Sequence, residues 1–310
     1  MTQIPPVHRL IALQSCRFIL RERTASVLGA MFVVLVMISA WLGWSATDTT
    51  NRIYLDAAVF LKAAGQTVPT NPVLDISPLS LMRNMAVYVS LIGVLAAIVI
   101  GNRLVASERK AGVLPLYGAR PIERSAFAMG KLLALGLSVG VLAAIAGVVG
   151  FVTFLLLPNV PVSPQQWLQF GGFFVLSAVY LLLFGALAMG CAAMAQSESV
   201  GLLIPVTLWL AVTFILPQIT ANLNPTAAIN PVAALADAPH TAYFQWVGWA
   251  LAPISVADCY KFGAARFLDM AQAPASGFYM VWLGVVAVAA MAFARHALTN
   301  IDMTNGGFDA

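Results

Sequence analysis

Charge is the scarcest thing in this chain. Only 9% of its 310 residues are Asp, Glu, Lys or Arg, while 61% are hydrophobic. An ordinary soluble domain is about 25% charged. A water-soluble fold cannot hide that much apolar surface, so lipid bilayer is the expected solvent. The long apolar runs carry no Asp, Glu, Lys, Arg or His near their middles. Proton- or ion-coupled transporters and many intramembrane hydrolases place such groups at membrane depth, so those classes are disfavoured. The net charge of +4 does not point to nucleic acid, because no basic run interleaved with aromatics is present.

Reactive side chains are equally thin. Cys16, Cys191 and Cys259 form no C-x-x-C pair. The first two are expected on the cytoplasmic side or in the membrane and the third outside, so no internal disulfide is expected. His8, His240 and His296 lie far apart. Met189, Cys191 and Met194 are soft ligand types, but at about 100° per residue only Cys191 and Met194 share a helical face. Ordinary packing explains them better, and no metal or cofactor is expected. Gly130-Lys131 has the look of the end of a phosphate-binding loop. Ser125 stands where that motif needs its first glycine, and Leu132 follows where it needs Ser or Thr. If the protein moves something uphill, the energy must come from a partner.

What the chain does have is six apolar segments long enough to span, roughly 20 residues each. They run over 26–46, 84–105, 132–157, 169–195, 200–220 and 277–294. Lys and Arg orient them. The N-terminal arm carries Arg9, Arg17, Arg21 and Arg23 against Glu22 alone. The loop after the second span, with its flanks, carries Arg103, Arg109, Lys110, Arg120, Arg124 and Lys131 against Glu108 and Glu123. The loop after the first span is balanced, and the loop after the third is uncharged. Both termini and the Glu108 loop are therefore expected in the cytoplasm. The first span is read as an anchor, because its apolar run is too long for a signal peptide and five more spans follow. Snorkelling accounts for Arg103 and Lys131 at cytoplasmic span ends and for Arg83 at an outer one.

Two flanking segments have their own character. Residues 1–25 are read as a cytoplasmic interfacial helix, with Ile11, Cys16, Phe18 and Ile19 roughly opposite Gln14, Arg17 and Arg21. Leu10, Leu13 and Arg23 spoil the pattern. Residues 221–276 form a long external segment. Turns at Asn224-Pro225 and Asn230-Pro231 precede an aromatic cluster of Tyr243, Phe244, Trp246 and Trp249. It predicts short helices at or dipping into the outer leaflet, with a pair of extra half-spans as the rival. Small residues line the third span (Gly136, Gly140, Ala144, Gly147) and the fourth (Gly185, Ala188, Ala192), which allows helices to approach closely in a tight bundle or a dimer. Pro205 and Pro217 predict a bend in the fifth.

Charges concentrate most between the second and third spans, in S-E-R-K-A-G-V-L-P-L-Y-G-A-R-P-I-E-R-S-A-F-A-M-G-K. Here Glu108, Gly112, Pro121-Ile122, Arg124 and Gly130-Lys131 stand where the permease subunits of ABC-2 type transporters commonly show Glu, Gly-Thr, a Pro-Ile-Ser/Thr-Arg-like turn and Gly-Lys. Val113 replaces the usual Thr, Glu123 stands where Ser or Thr is common, and Pro115 interrupts what is often helical. The basic arm, six spans and interfacial segment also resemble the family plan. Within the family the chain looks most like the membrane subunit serving maturation of nitrous oxide reductase, through Ala252-Pro253, Asp258, Tyr260 and Arg266.

The resemblance implies an all-α polytopic membrane protein: an interfacial helix over 1–25 and a transmembrane domain over 26–310. It implies a multi-pass subunit of the cell inner (plasma) membrane that exports a substrate along a permease homodimer. Two cytosolic ABC ATPase subunits would bind the ATP, and an external accessory protein could join them. The 106–131 segment would dock the ATPase through Glu108, Arg109, Lys110, Gly112, Pro121, Arg124, Gly130 and Lys131, with Arg17 and Arg21 on the interfacial helix. The chain itself would not be an enzyme. A membrane scaffold that moves nothing would share the scarcity of intramembrane charge, and a neighbouring ATPase gene would favour transport over it.

Overall fold

A computed structural model describes residues 6–71, 77–119, 122–156, 162–216, 242–251, 254–270 and 277–303, with only the backbone described at 243–245, 248 and 249. Among the described residues there are helices and no strands. Six are long and apolar enough to cross a membrane: α2 (Arg23–Ala63), α3 (Pro78–Lys110), α5 (Arg124–Leu155), α6 (Pro164–Met194), α7 (Glu198–Ile215) and α10 (Phe278–Thr299). Four shorter helices complete the set: α1 (Val7–Arg21), α4 (Leu114–Gly118), α8 (Ala242–Leu251) and α9 (Val256–Phe267). The protein is an all-α polytopic membrane protein.

Every expected span is present, but several ends move. α2 does not stop near Ala46; it runs 41 residues. At 1.5 Å per residue that is about 60 Å, roughly twice a bilayer core. The polar stretch after Ala46 reads as a loop, yet it stays helical. Asp48 and Arg52 pair at 2.8 Å one turn apart, and Thr47 and Thr50 return their hydroxyls to the carbonyls of Gly43 and Ala46. α5 starts at Arg124, well before Leu132, so its first turns stand outside the apolar run.

α6 is the hub, with α3 and α10 packed along it. The closest approach is between α3 and α6 at Gly101 and Gly185. A Cβ on Gly101 would lie 2.0 Å from the Gly185 carbonyl oxygen, so only glycine fits. Gly185, Ala188 and Ala192 are buried as the small-residue pattern predicts. On α5, Gly136 and Gly140 meet nothing within 4 Å, so that half of the pattern is unused within the chain.

Two spans carry a wide turn, Val89–Gly93 in α3 and Ala211–Ile215 in α7. The Trp209 indole N–H donates to the Ser90 carbonyl at 3.2 Å and fastens the two together. Such turns loosen the helical hydrogen-bond ladder and recur at functional sites. Pro205 lies inside α7 as expected, while Pro217 lies outside the described residues.

α1 packs on α5 rather than lying free. Its buried stripe is Ile11, Ala12, Ser15 and Ile19. Phe18, expected on that face, is exposed together with Leu10 and Leu13. The reason is α5: a Cβ on Gly130 would sit 2.8 Å from the Ile11 Cβ, so the groove over Gly130 selects the Ile11 stripe.

The described part of the external segment dips inward rather than lying flat. Tyr260 of α9 stacks on Tyr180 of α6 with ring centroids 4.4 Å apart, and its hydroxyl meets the Ser177 hydroxyl at 3.0 Å. Tyr180 lies near the midpoint of α6. Phe267, at the other end of α9, covers Gly172 nearer the start of α6. α9 is thus a short helix that dips inward beside α6 with its N-terminus deepest, as the expected short helices do. It carries Asp258, 3% exposed, and Lys261 to that depth. The scarcity of charge within the six spans therefore does not extend to the whole bundle interior. Trp246 of α8 is exposed, and the side chains of Tyr243, Phe244 and Trp249 lie outside the described residues.

Candidate functional site

The charged stretch folds around a helix stop. α3 ends at Lys110, and Gly112 takes φ +64°, a conformation costly for any residue with a Cβ. The Gly112 N–H donates to the Arg109 carbonyl at 3.1 Å and the Val113 N–H to the Glu108 carbonyl at 3.2 Å, a Schellman closure. Pro115 then falls in the first turn of α4, where a missing N–H costs nothing. The proline that interrupts the expected helix begins a new one. Leu114 is buried and anchors α4; Leu116 points out. The chain re-enters at Arg124 to start α5.

Beneath α4 lies a buried ion pair. The Lys131 ammonium, 1% exposed, donates to Glu108 Oε1 at 2.7 Å and to the Ser15 hydroxyl at 3.1 Å. It also lies 5.6 Å from the Phe127 ring centre. The Tyr117 hydroxyl donates to the same Glu108 oxygen at 3.4 Å, and Tyr117 packs on Phe127. One pair therefore ties α1, α3, α4 and α5 together.

Arg109 turns the other way. It is buried, and its guanidinium donates to the carbonyls of Ala192 at 2.8 Å and Ala195 at 2.6 Å, capping the C-terminus of α6. A cation there also satisfies the negative end of the helix dipole. Glu198, in the first turn of α7, accepts from Lys110 at 2.9 Å and pairs with Arg103. Arg103 also reaches Glu22 at 3.4 Å, and Glu22 in turn caps α2 through the Ala25 N–H. Arg103 and Lys131 are therefore not simply snorkelling, as the sequence suggests, but hold specific partners.

The structure thus brings Glu108, Lys110 and Lys131 to the junction of α1, α3, α4, α5 and α7. It turns Arg109 inward to α6, and it leaves Arg124 exposed with the Thr299 carbonyl at 3.5 Å. Gly130 seats α1, and Gly112 turns the chain. Arg17 and Arg21 are exposed on α1, and Pro121 lies outside the described residues. Sequence reasoning did not find Ser15, Tyr117 and Glu22 as partners. The one available signal was scarcity: with 12 acidic residues in the chain, each acid beside a span end is a candidate partner for a basic one.

Between α1 and α4 a cleft of about 420 Å³ opens, lined by Gln14, Phe18, Glu108, Leu116, Tyr117 and Lys131. Around it Lys110, Leu116, Glu123 and Arg124 are exposed. The buried ions stiffen this end of the bundle, and the exposed residues around them offer a surface. No curated protein matches the chain. The family model described as ABC-2 family transporter protein matches residues 10–300. That covers nearly the whole length, both the braced junction and the six spans, so the chain belongs to the ABC-2 family of transporters.

Proposed function

We propose that this chain is the permease subunit of an ATP-driven exporter and that a cytosolic ABC ATPase docks on its 106–131 segment. The observation that carries the reading is the mounting of α4. Leu116 is 66% exposed in the middle of a five-residue helix that Tyr117 ties to the Glu108–Lys131 pair. An exposed leucine on a rigid support, ringed by Lys110, Glu123 and Arg124, suits a protein groove better than water. Arg109 and Glu108 serve the docking from behind, by holding the support. The ATP site belongs to the partner, since the chain has no phosphate-binding loop.

Other parts of the reading rest on sequence. The excess of Arg and Lys puts both termini and the docking segment in the cytoplasm of the inner membrane. Two copies would enclose the path, and the exposed outer part of α2 leaves room for an external accessory protein. Ala252-Pro253, Asp258, Tyr260 and Arg266 favour a role like that of the permeases serving nitrous oxide reductase maturation.

Co-purification with the ATPase tests docking. Leu116→Asp, or reversal of Glu108 and Arg109 together, should reduce recovery of the ATPase or its stimulated activity. Reversal of Asp56 and Lys62, on the extension of α2, should leave assembly intact. Equal recovery, equal stimulated activity and equal transport for all variants would leave the charges with a topological role only.

A further inference from the structure

We propose that residues 299–303, which follow the last span, belong to the ATPase-docking surface: they form a strap that pins the far end of α4, so that α4 and α10 meet the ATPase as one body; this rests on the permease reading above. The first ground is how the strap is made. α10 ends at Thr299. The Asn300 N–H donates to the His296 carbonyl at 3.2 Å, and the Thr299 hydroxyl donates to the same oxygen at 2.9 Å, so the helix stop is built from its own residues. Beyond the stop, burial alternates. Ile301 and Met303 are buried in the core, while Asn300 and Asp302 are exposed. A segment that follows the last helix of a bundle frays unless something ties it down. Here two apolar anchors do so and turn their polar neighbours outward.

The second ground is where the strap lies. A Cβ on Gly118 would sit 3.2 Å from the Met303 Cβ and 3.4 Å from the Met303 carbonyl oxygen, so the strap runs directly against the last residue of α4. Arg124, the first residue of α5, donates to the Thr299 carbonyl at 3.5 Å. Asn300 and Asp302 thus extend the exposed rim around Leu116 and Arg124. One apolar anchor within a polar rim is the composition that a protein partner covers. The third ground is mechanical. Tyr117 ties α4 to the Glu108–Lys131 pair, and through it to α1, α3 and α5. Those contacts do not reach the last span. The strap does, and α10 packs along the hub helix α6. A load on α4 therefore passes to α10 through packed side chains.

A strap that can be locked by oxidation tests this. Cys16, Cys191 and Cys259 are each changed to Ser, which leaves no native thiol. Gly118→Cys and Met303→Cys are then introduced, and Ile301→Ser is added to weaken the strap's seat. The two Cβ positions lie 3.2 Å apart, just inside the usual disulfide separation of about 3.5–4.5 Å, so oxidation should join them. The detergent-solubilised chain is titrated onto the ATPase that co-purifies with the parent. With dithiothreitol, half-maximal stimulation of ATP hydrolysis should need about tenfold more chain than the cysteine-free background needs. After oxidation the requirement should return to that of the background, with the same maximal rate, because α4 and α10 move together.

The same requirement with and without the disulfide would overturn the strap as part of the docking surface. Restored affinity with hydrolysis halted would overturn the single body, because α4 would then have to part from α10 during turnover. Failure of the disulfide to form would overturn the contact itself. Misfolding cannot imitate the expected result, since dithiothreitol reverses it in one sample. Met303→Ala alone, a milder loss, should shift the requirement in the same direction, and an unchanged requirement there would also overturn the strap. If no ATPase co-purifies with the parent, the permease reading falls; if one does and the variants match the background, the strap alone falls.

Discussion

Glu108 and Lys131 are 23 positions apart in the chain and 2.7 Å apart in space. They join the end of one membrane helix to the start of the next at the level where the chain leaves the apolar layer. Lys131 is nearly sealed from water, Glu108 is half-buried at the wall of the cleft, and Ser15 of α1 completes the pair. A surface pair would contribute little. Here each ion is the main compensation for burying the other, so removing one is costly and removing both is less so.

Lys131→Met should therefore destabilise the protein, by less than the about 3–5 kcal/mol of a fully buried pair, because Glu108 is left half-buried without its cation. The double variant Lys131→Met, Glu108→Gln should recover more than half of that loss. Thermal unfolding of the detergent-solubilised chain measures both. Equal loss in the single and double variants would mean that the pair is not the unit that matters.

Gly130→Val should loosen α1. A Cβ there lies 2.8 Å from the Ile11 Cβ and 2.9 Å from the His8 carbonyl oxygen, so α1 must shift or leave. The expected cost is about 1–3 kcal/mol. Proteolysis should cut first within α1 in the variant and not in the parent; identical cutting patterns would contradict the packing described.

Gly101→Leu should be far worse, since its Cβ would overlap the Gly185 carbonyl and force apart the two most buried spans. We expect no folded protein by gel filtration. Gly136→Leu, where nothing lies within 4 Å, should leave the monomeric bundle folded. A folded Gly101→Leu chain with unchanged melting would refute the close approach of α3 and α6.

Reporter fusions after Gly65 and after Ala310 should report opposite sides of the membrane. The expectation comes from the Lys and Arg excess around 103–131 and in the N-terminal arm. Both reporters on one side would sink the topology.

The purified chain alone should hydrolyse no ATP, because Ser125 and Leu132 stand where a phosphate-binding loop needs Gly and Ser or Thr. Hydrolysis should appear only with a separate nucleotide-binding subunit. Turnover that survives removal of contaminants would refute this.

The sequence alone determined the solvent, the spans and their number, because apolar length is a local property. It also marked the 106–131 segment, because charge is rare everywhere else. It could not determine where α2 ends, since polar residues beyond Ala46 read as a loop until the Asp48–Arg52 pair and the Thr caps show them helical. Nor could it choose the buried face of α1: Ile11 and Phe18 are equally apolar, and the groove over Gly130 decides between them. The partners of Lys131, Arg109 and Glu198 needed the tertiary structure, because each contact joins residues distant in the chain. The same holds for Asp258 and Lys261. They lie outside every apolar run, and the packing of α9 on α6, through Tyr260 on Tyr180 and Phe267 on Gly172, carries them into the bundle. Hydropathy reports which residues prefer lipid; it cannot report which polar ones a short inward-dipping helix takes inside, because that depends on the partners waiting there.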